Sequence, residues 1–378
     1  MASVGPGNTP VPGQRQRALG DEVTPEDRSR ELPFLDLDRL EARAAERLPA
    51  PVFDYYAGGA ETETTLAEAP GAWRSWRLRP RILRGVSTVY LGTELLGSPV
   101  RTPIGVAPWA YQGMAHPEGE LATARGAVAA GALMTVSTSA THTPEEVATE
   151  VRGSPAWFQL YRLHSAGHTD DLARRAGDAG YRALVLTVDL PVLGRRRRDL
   201  RHDFALPAEL RLANRPPADD PAPSDLAPAP WTFDDIARFG ELSGLPVVVK
   251  GVLRGDDAAR CVQAGASAVW VSTHGGRQVD PAVSSARALP EVVDAVVGDA
   301  EVYADGGIRS GSDVLTALAL GASAVFLGRP TIWGLTCGGA DGVAGVLTAL
   351  TEELAHTMAL CGLDDVRSVP RDTVIPAR

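Results

Sequence analysis

From residue 104 onward, short apolar runs recur along the chain: IGVAP (104–108), LMTVSTS (133–139), WFQLY (157–161), ALVLTVD (183–189), PVVVK (246–250), SAVWVST (267–273), EVYADGG (301–307) and SAVFLGR (323–329). Segments with helical spacing of apolar residues alternate with them, such as EGELATARGAVAAGA, TPEEVATEV, TDDLARRAGDAG and SGSDVLTALALGA. The runs are continuously apolar, the pattern of parallel strands covered on both faces. Eight such runs, each leading into a helix, predict the α/β class and a (β/α)8 TIM barrel. A doubly wound open sheet is the rival, but it rarely repeats the unit eight times without interruption.

The residues that end each run narrow the function. Ser137, Gln159 with Tyr161, Thr187 with Asp189, Lys250, Ser272 with His274, Asp305 and Arg329 all stand at or near run ends. In such barrels the carboxyl ends of the strands share one mouth, where the reacting groups collect. WVSTHGGRQVD (270–280) concentrates the pattern, because a glycine-rich turn there carries His274 and, three residues on, Arg277. An imidazole exchanges protons near neutral pH and a guanidinium forks onto a carboxylate, so the pair suits proton abstraction from an anionic substrate. Asp189 is a candidate to hold one imidazole nitrogen and stabilise the imidazolium, or else to cap the following helix.

DGGIRSG (305–311) and LGRP (327–330) end the seventh and eighth runs. Glycines there admit an anion to backbone amides, and helix amino termini with Arg309 and Arg329 supply positive potential, which predicts a phosphate site. Lys250 ends an otherwise apolar strand, where it needs an anionic partner. The N1 and O2 edge of a reduced flavin is one, with Gln159, Thr187 and Ser137 along the rest of the ring; a pair with Asp189 or Asp305 is the alternative. Within GRRRRD (194–199) most of the charge is expected to be solvated or acid-paired, leaving one arginine to turn inward beside Arg277.

Composition sets outer limits. A chain of 378 residues with 44% hydrophobic residues can build a large core, and a net charge of −10 disfavours nucleic acid and membrane surfaces as partners. Cys261, Cys337 and Cys361 have neither metal-type spacing nor pairing arithmetic, so no metal and a reduced, cytoplasmic setting are expected. No apolar leader opens the sequence and no run approaches the roughly eighteen apolar residues of a membrane span, which predicts a soluble chain. Residues 1–32, rich in Gly, Pro and charge, read as a disordered arm before a single barrel domain over 33–378. Leu35 to Arg47 reads as an amphipathic helix ended by Pro49 and Pro51. Tyr55 and Tyr56, ahead of a Gly-Gly turn, serve either packing or a ligand carboxylate. The Pro- and Ala-rich stretch between Asp203 and Trp231 predicts a lid or excursion over the carboxyl face, and Asp341 to Leu360 a late helix.

STHGGRQVD, VVVKGV, LTVDLPVLGRR, FQLY, APWAYQGMAHPEGELATARGA, FDYYAGGAETETTL and DGGIRSGSDVLTALALGASAVFLGRP together resemble the FMN-dependent 2-hydroxy-acid oxidase and dehydrogenase family, which includes glycolate and lactate oxidases and mandelate dehydrogenases. The resemblance runs over about residues 33 to 378. It implies an FMN-binding (β/α)8 barrel, commonly tetrameric. His274 resembles the family's base, with Asp189 as its partner. Arg277 and Arg196 resemble the pair that binds the substrate carboxylate, helped by Tyr55 and Tyr161. Lys250 matches the lysine at flavin N1. Ser137, Gln159, Thr187, Ser272 and the backbone of Pro108, Trp109 and Ala110 match flavin and ribityl contacts, and Asp305, Gly307, Arg309, Gly328 and Arg329 the ribityl and phosphate end.

Three departures bear on the substrate. Thr273 stands where the family often has Asn, Ser139 where glycolate oxidase has a bulky aromatic, and Trp109 where a small residue is usual. Ser139 opens room for a substrate side chain, whereas Trp109 reshapes the pocket or the flavin face. Ala110 is compatible with an oxidase. The resemblance therefore implies oxidation of an (S)-2-hydroxy acid with a bulky, mandelate-like side chain, with O2 as electron acceptor and hydrogen peroxide as by-product.

Overall fold

A computed structural model describes residues 36–163, 165–214 and 231–377. The expected arm at 1–32 lies outside the described residues, as do residues 215–230 of the long connection. Eight parallel strands close in sequence order into a barrel: β1 (Ile104–Val106), β2 (Met134–Ser137), β3 (Ala156–Leu160), β4 (Leu184–Thr187), β5 (Val247–Val252), β6 (Ala268–Val271), β7 (Glu301–Asp305) and β8 (Ala324–Leu327), with β8 pairing back onto β1. Every apolar run of the sequence supplies one strand. The fold is the expected (β/α)8 barrel.

Side chains fill the barrel's interior. Trp157, Trp270, Tyr303 and Phe326 are fully buried there, and the rings of Trp270 and Phe326 lie 4.0 Å apart. Gly105 on β1 is the complement of this packing, because a Cβ there would come within 2.5 Å of the Phe326 ring. At the amino-terminal mouth the hairpin Thr93–Leu95/Ser98–Val100 inserts Leu95 and Val100 into the same cluster. The Leu96 amide donates to Glu301 Oε1 at 2.8 Å, which ties the hairpin to the start of β7. This end of the barrel is therefore sealed by apolar contact.

Helices form the outer ring, and here the structure refines the reading. The amphipathic helix, α1 (Leu37–Arg47), begins two residues later than expected, with the Asp36 side chain capping the Arg39 amide. As expected, α1 ends ahead of Pro49, with Leu48 as its carboxyl cap. Pro51 lies in the first turn of a second helix, α2 (Ala50–Ala57), where its missing N–H costs no bond. A third helix, α3 (Thr64–Arg74), and the ring helix Ser285–Val296 each contain a proline, Pro70 and Pro290, that hid them from a reading by breakers. The late helix runs as expected, from just after a break at Gly338–Gly339 to Leu360, and a further helical stretch from Arg329 precedes the break.

Candidate active site

Residues from both ends of the sequence meet at the carboxyl mouth of the barrel, where a cavity of about 610 Å³ opens. His274 stands immediately beyond β6 in the left-handed region, at φ 55°, a conformation that is uncommon for a residue with a Cβ and that sets the ring over the mouth. Its amide donates to Ser272 Oγ at 3.0 Å. Its Nδ1 lies 3.0 Å from Asp189 Oδ1, and its Nε2 3.4 Å from the Tyr161 hydroxyl. Burial pushes the imidazole below its usual pKa against the opposing pull of Asp189, with Lys250 and Arg196 adding to the fall. Burial favours protonated Asp189, but His274 and Lys250 outweigh it and hold the carboxyl below its ordinary range. The pair is thus neutral imidazole beside carboxylate, the arrangement a general base needs.

Asp189 does not cap a helix; it sits against the back of the imidazole. Room for it comes from a residue that sequence reasoning passed over. Gly251, one position beyond Lys250, has φ +108° at an irregularity in the β5–β6 register, and a Cβ there would meet the Asp189 side chain at 2.6 Å. A glycine inside a strand pattern is itself a signal for such a bulge.

Lys250 lies across the ladder from Thr187 and over the Trp270 ring at 5.4 Å, so it marks the boundary between the apolar interior and the polar mouth. Its Nζ donates to Ser272 Oγ at 2.8 Å and pairs with Asp305 Oδ2 at 3.2 Å, while Ser272 donates to Asp305 Oδ1 at 2.7 Å. Asp305, rather than Asp189, is its direct carboxylate partner. Beside it, two fully buried polar atoms have no hydrogen-bond partner among the described residues: Gln159 Nε2 and Thr187 Oγ1. Ser137, in register with Gln159, bonds Gln159 Oε1 at 3.2 Å and lines the cavity with Ser139, Pro108, Trp109 and Ala110.

Two buried guanidiniums cap the carboxyl end of α2. Arg277 donates to the carbonyls of Tyr55 and Gly58, and Arg329 to those of Tyr56, Ala57, Gly58 and Gly275. Cations at a helix carboxyl terminus are favourable, and here they fix which tyrosine faces the cavity. Tyr56 is packing, its hydroxyl donating to the Tyr111 carbonyl at 2.6 Å; Tyr55 lines the cavity and stacks on Phe204 at 4.9 Å. Burial, and then the neighbouring Arg196, push Arg277 down to about 10, which leaves it charged at neutral pH.

Of the four consecutive arginines, Arg197 pairs with Glu61 at 3.0 Å and Arg198 with Glu63 and Asp54 at 2.6 and 3.1 Å, while exposed Arg195 stands 3.9 Å from Glu61. Arg196 lines the cavity, and its buried Nε has no partner among the described residues. At the far end of the cavity Gly307, Arg309, Gly328 and Arg329 come together as their positions predicted. The half-buried Arg309 guanidinium donates to the adjacent Ile308 carbonyl, whereas the donors of Arg329 are already directed at backbone carbonyls. An anion there meets the charge of Arg329 more than its free donors.

A family model described as FMN-dependent dehydrogenase matches residues 44–376. The chain belongs to that family. It is 47% identical to L-lactate oxidase of Nostoc sp. over 352 residues, covering 89% of this chain and 96% of that protein. It is 44% identical to 4-hydroxymandelate oxidase of Amycolatopsis orientalis, covering 90% and 98%. Among solved structures it resembles mandelate oxidase with (S)-2-phenylpropionate at 44% identity and TM-score 0.83, covering 89% of this chain and 97% of that one. A mandelate oxidase holding the C4a-OH-FMN adduct matches at 45% identity and TM-score 0.82, covering 88% and 97%.

FMN is the cofactor of this oxidoreductase, and the residues present fit it. The orphaned Gln159 and Thr187 groups beside cationic Lys250 suit a ring edge rich in donors and acceptors, and the glycine turns with Arg309 suit a phosphate. Other residues of the cavity wall were not legible beforehand: Tyr111, Leu190, Leu193, Asp199, Leu200, Asp203 and Phe204 reach it from connections whose paths no local pattern encodes. Among the described residues no helix is long and apolar enough to cross a membrane.

Proposed function

We propose that this protein oxidises an (S)-2-hydroxy acid with a bulky, mandelate-like side chain to the 2-oxo acid, and that O2 then takes up the two electrons and two protons as hydrogen peroxide. The observation that carries the reading is one cavity lined by a base, His274, backed by the Asp189 carboxylate, and by two guanidiniums, Arg277 and Arg196. The oxidase names of the relatives and Ala110 beside the cavity favour O2 as acceptor. Ser139 and Trp109 in the wall favour a flat, bulky side chain over a methyl group or hydrogen.

In this mechanism Arg277 and Arg196 hold the substrate carboxylate, with the hydroxyls of Tyr55 and Tyr161 completing the grip. Held this way, the α-hydroxyl points at His274 Nε2, which takes its proton. Asp189 stabilises the imidazolium and keeps Nδ1 protonated throughout. Bound FMN would supply the acceptor for the α-hydrogen and its two electrons. Lys250 would offer positive charge to the ring edge, Ser137, Gln159, Thr187, Ser272 and the backbone of 108–110 would hold the ring and ribityl chain, and Asp305, Gly307, Arg309, Gly328 and Arg329 would hold the ribityl and phosphate end. We expect the working form to be a cytoplasmic homotetramer.

Steady-state assays across (S)- and (R)-mandelate, 4-hydroxymandelate, L-lactate and glycolate, with peroxide measured against oxo acid, test the proposal. Highest kcat/KM for an (S)-aryl acid with one peroxide per turnover is expected. Preference for glycolate or lactate would overturn the substrate class, and turnover without peroxide would overturn the acceptor.

A further inference from the structure

We infer that Gln278 is a positioning residue: its side-chain amide staples the substrate loop 189–196 onto the turn that carries His274. The inference rests on the proposed function for what the loop does, and on geometry alone for the staple. Gln278 Nε2 donates to the carbonyls of Asp189 at 2.8 Å and Val192 at 3.0 Å, and Gln278 Oε1 accepts from the Gly194 amide at 3.0 Å. Both donors and the acceptor of one amide therefore go to one stretch of irregular backbone. No other side chain among the described residues bonds the backbone of 189–194.

That stretch bears directly on the chemistry. It begins with Asp189, 3.0 Å from His274 Nδ1, passes through Leu190 and Leu193 in the cavity wall, and ends at Arg196. Fixing the Asp189 carbonyl fixes the Cα from which its carboxylate reaches the imidazole. The contact is also close in the chain-to-chain sense. Gly194 lies so near the 277–278 backbone that a Cβ would meet the Arg277 carbonyl at 2.3 Å. The base, its carboxylate and both carboxylate-binding arginines thus share one small rigid unit, and a misplacement of about 1 Å in such a unit can cost on the order of a hundredfold in rate.

Two variants of the FMN-loaded full chain test this. Gln278→Ala removes all three bonds. Gln278→Glu keeps the acceptor for Gly194 but sets a carboxylate oxygen against two carbonyls. In hydrogen–deuterium exchange, segment 189–196 should exchange at least about tenfold faster in both variants, with the barrel strands unchanged. In anaerobic reduction by a hydroxy acid, the apparent substrate Kd should rise and the acid limb of the rate should move to lower pH, because His274 loses part of the support of Asp189; FMN affinity should stay within about twofold. Unchanged exchange in 189–196 for both variants overturns the staple, whatever substrate the enzyme proves to use. Loss of FMN together with protection across all strands would overturn it too, as a general folding role. If wild-type protein is reduced by none of the acids, the substrate reading fails while the exchange result still decides the staple.

Discussion

The same eight strands make two unlike mouths. At the amino-terminal mouth Trp157, Tyr303, Leu95 and Val100 pack together, Glu301 accepts from the Tyr303 hydroxyl and the Leu96 amide, and the hairpin at 93–100 closes the end. At the carboxyl mouth, a few residues along the same strands, lie Lys250, Asp305, His274, Arg277 and several buried groups that protein leaves unpartnered. Trp270, with Lys250 above its ring, is the dividing layer. The difference shows that stability and chemistry are segregated along each strand. One end is held chiefly by apolar and aromatic contact; the other holds charged and polar groups in wait for a ligand, at a cost in desolvation that the sealed end offsets.

Substitutions at either end can break or sharpen this contrast. The largest effect is expected from His274→Ala, which should slow flavin reduction by about 10²- to 10⁴-fold, the range of a lost general base, while the yellow protein keeps its FMN. Stopped-flow reduction checks the rate and absorbance of the purified variant the cofactor. Trp157→Ala, at the sealed end, should destabilise the fold by about 3–5 kcal/mol in denaturant unfolding, through the cavity it leaves. A comparable loss of stability from His274→Ala would erase the distinction between the mouths.

Arg277→Lys comes next. A point charge cannot replace the fork, and losing about 1.5–3 kcal/mol of charge-assisted bonding corresponds to roughly tenfold to hundredfold weaker substrate binding, read as the apparent Kd in reduction. The smallest effect is on pH. Burial lowers the pKa of His274, and only the neutral ring can take a proton, so kcat/KM should hold through the ordinary histidine range and fall only below it. Asp189→Asn removes the group that opposes that lowering, so its acid limb should lie at still lower pH. An acid limb above the usual histidine value would contradict the sign.

Much of the architecture was legible because the barrel's constraints are local. Continuous apolar runs and their polar ends identified all eight strands and which end of each would face the cavity. The helices with internal prolines were not, since Pro70 and Pro290 are tolerated by tertiary packing that no window of sequence contains. Candidate residues at strand ends gathered as expected, whereas Phe204, Asp199 and Gln278 reach the site across connections whose courses depend on the whole molecule. Asp280, the last residue of the His274 motif, proved to be structural: it accepts the leading amides of α3, and those bonds outweigh burial to push its carboxyl down to about 2.

The central claim is that the open mouth brings base, carboxylate clamp and FMN onto one 2-hydroxy acid. Anaerobic mixing of the purified holoenzyme with (S)-mandelate tests it in a single step. The account predicts bleaching of the oxidised flavin absorbance with one equivalent of 2-oxo acid formed per flavin. Flavin that stays yellow with (S)-mandelate and with every smaller hydroxy acid tried would contradict it.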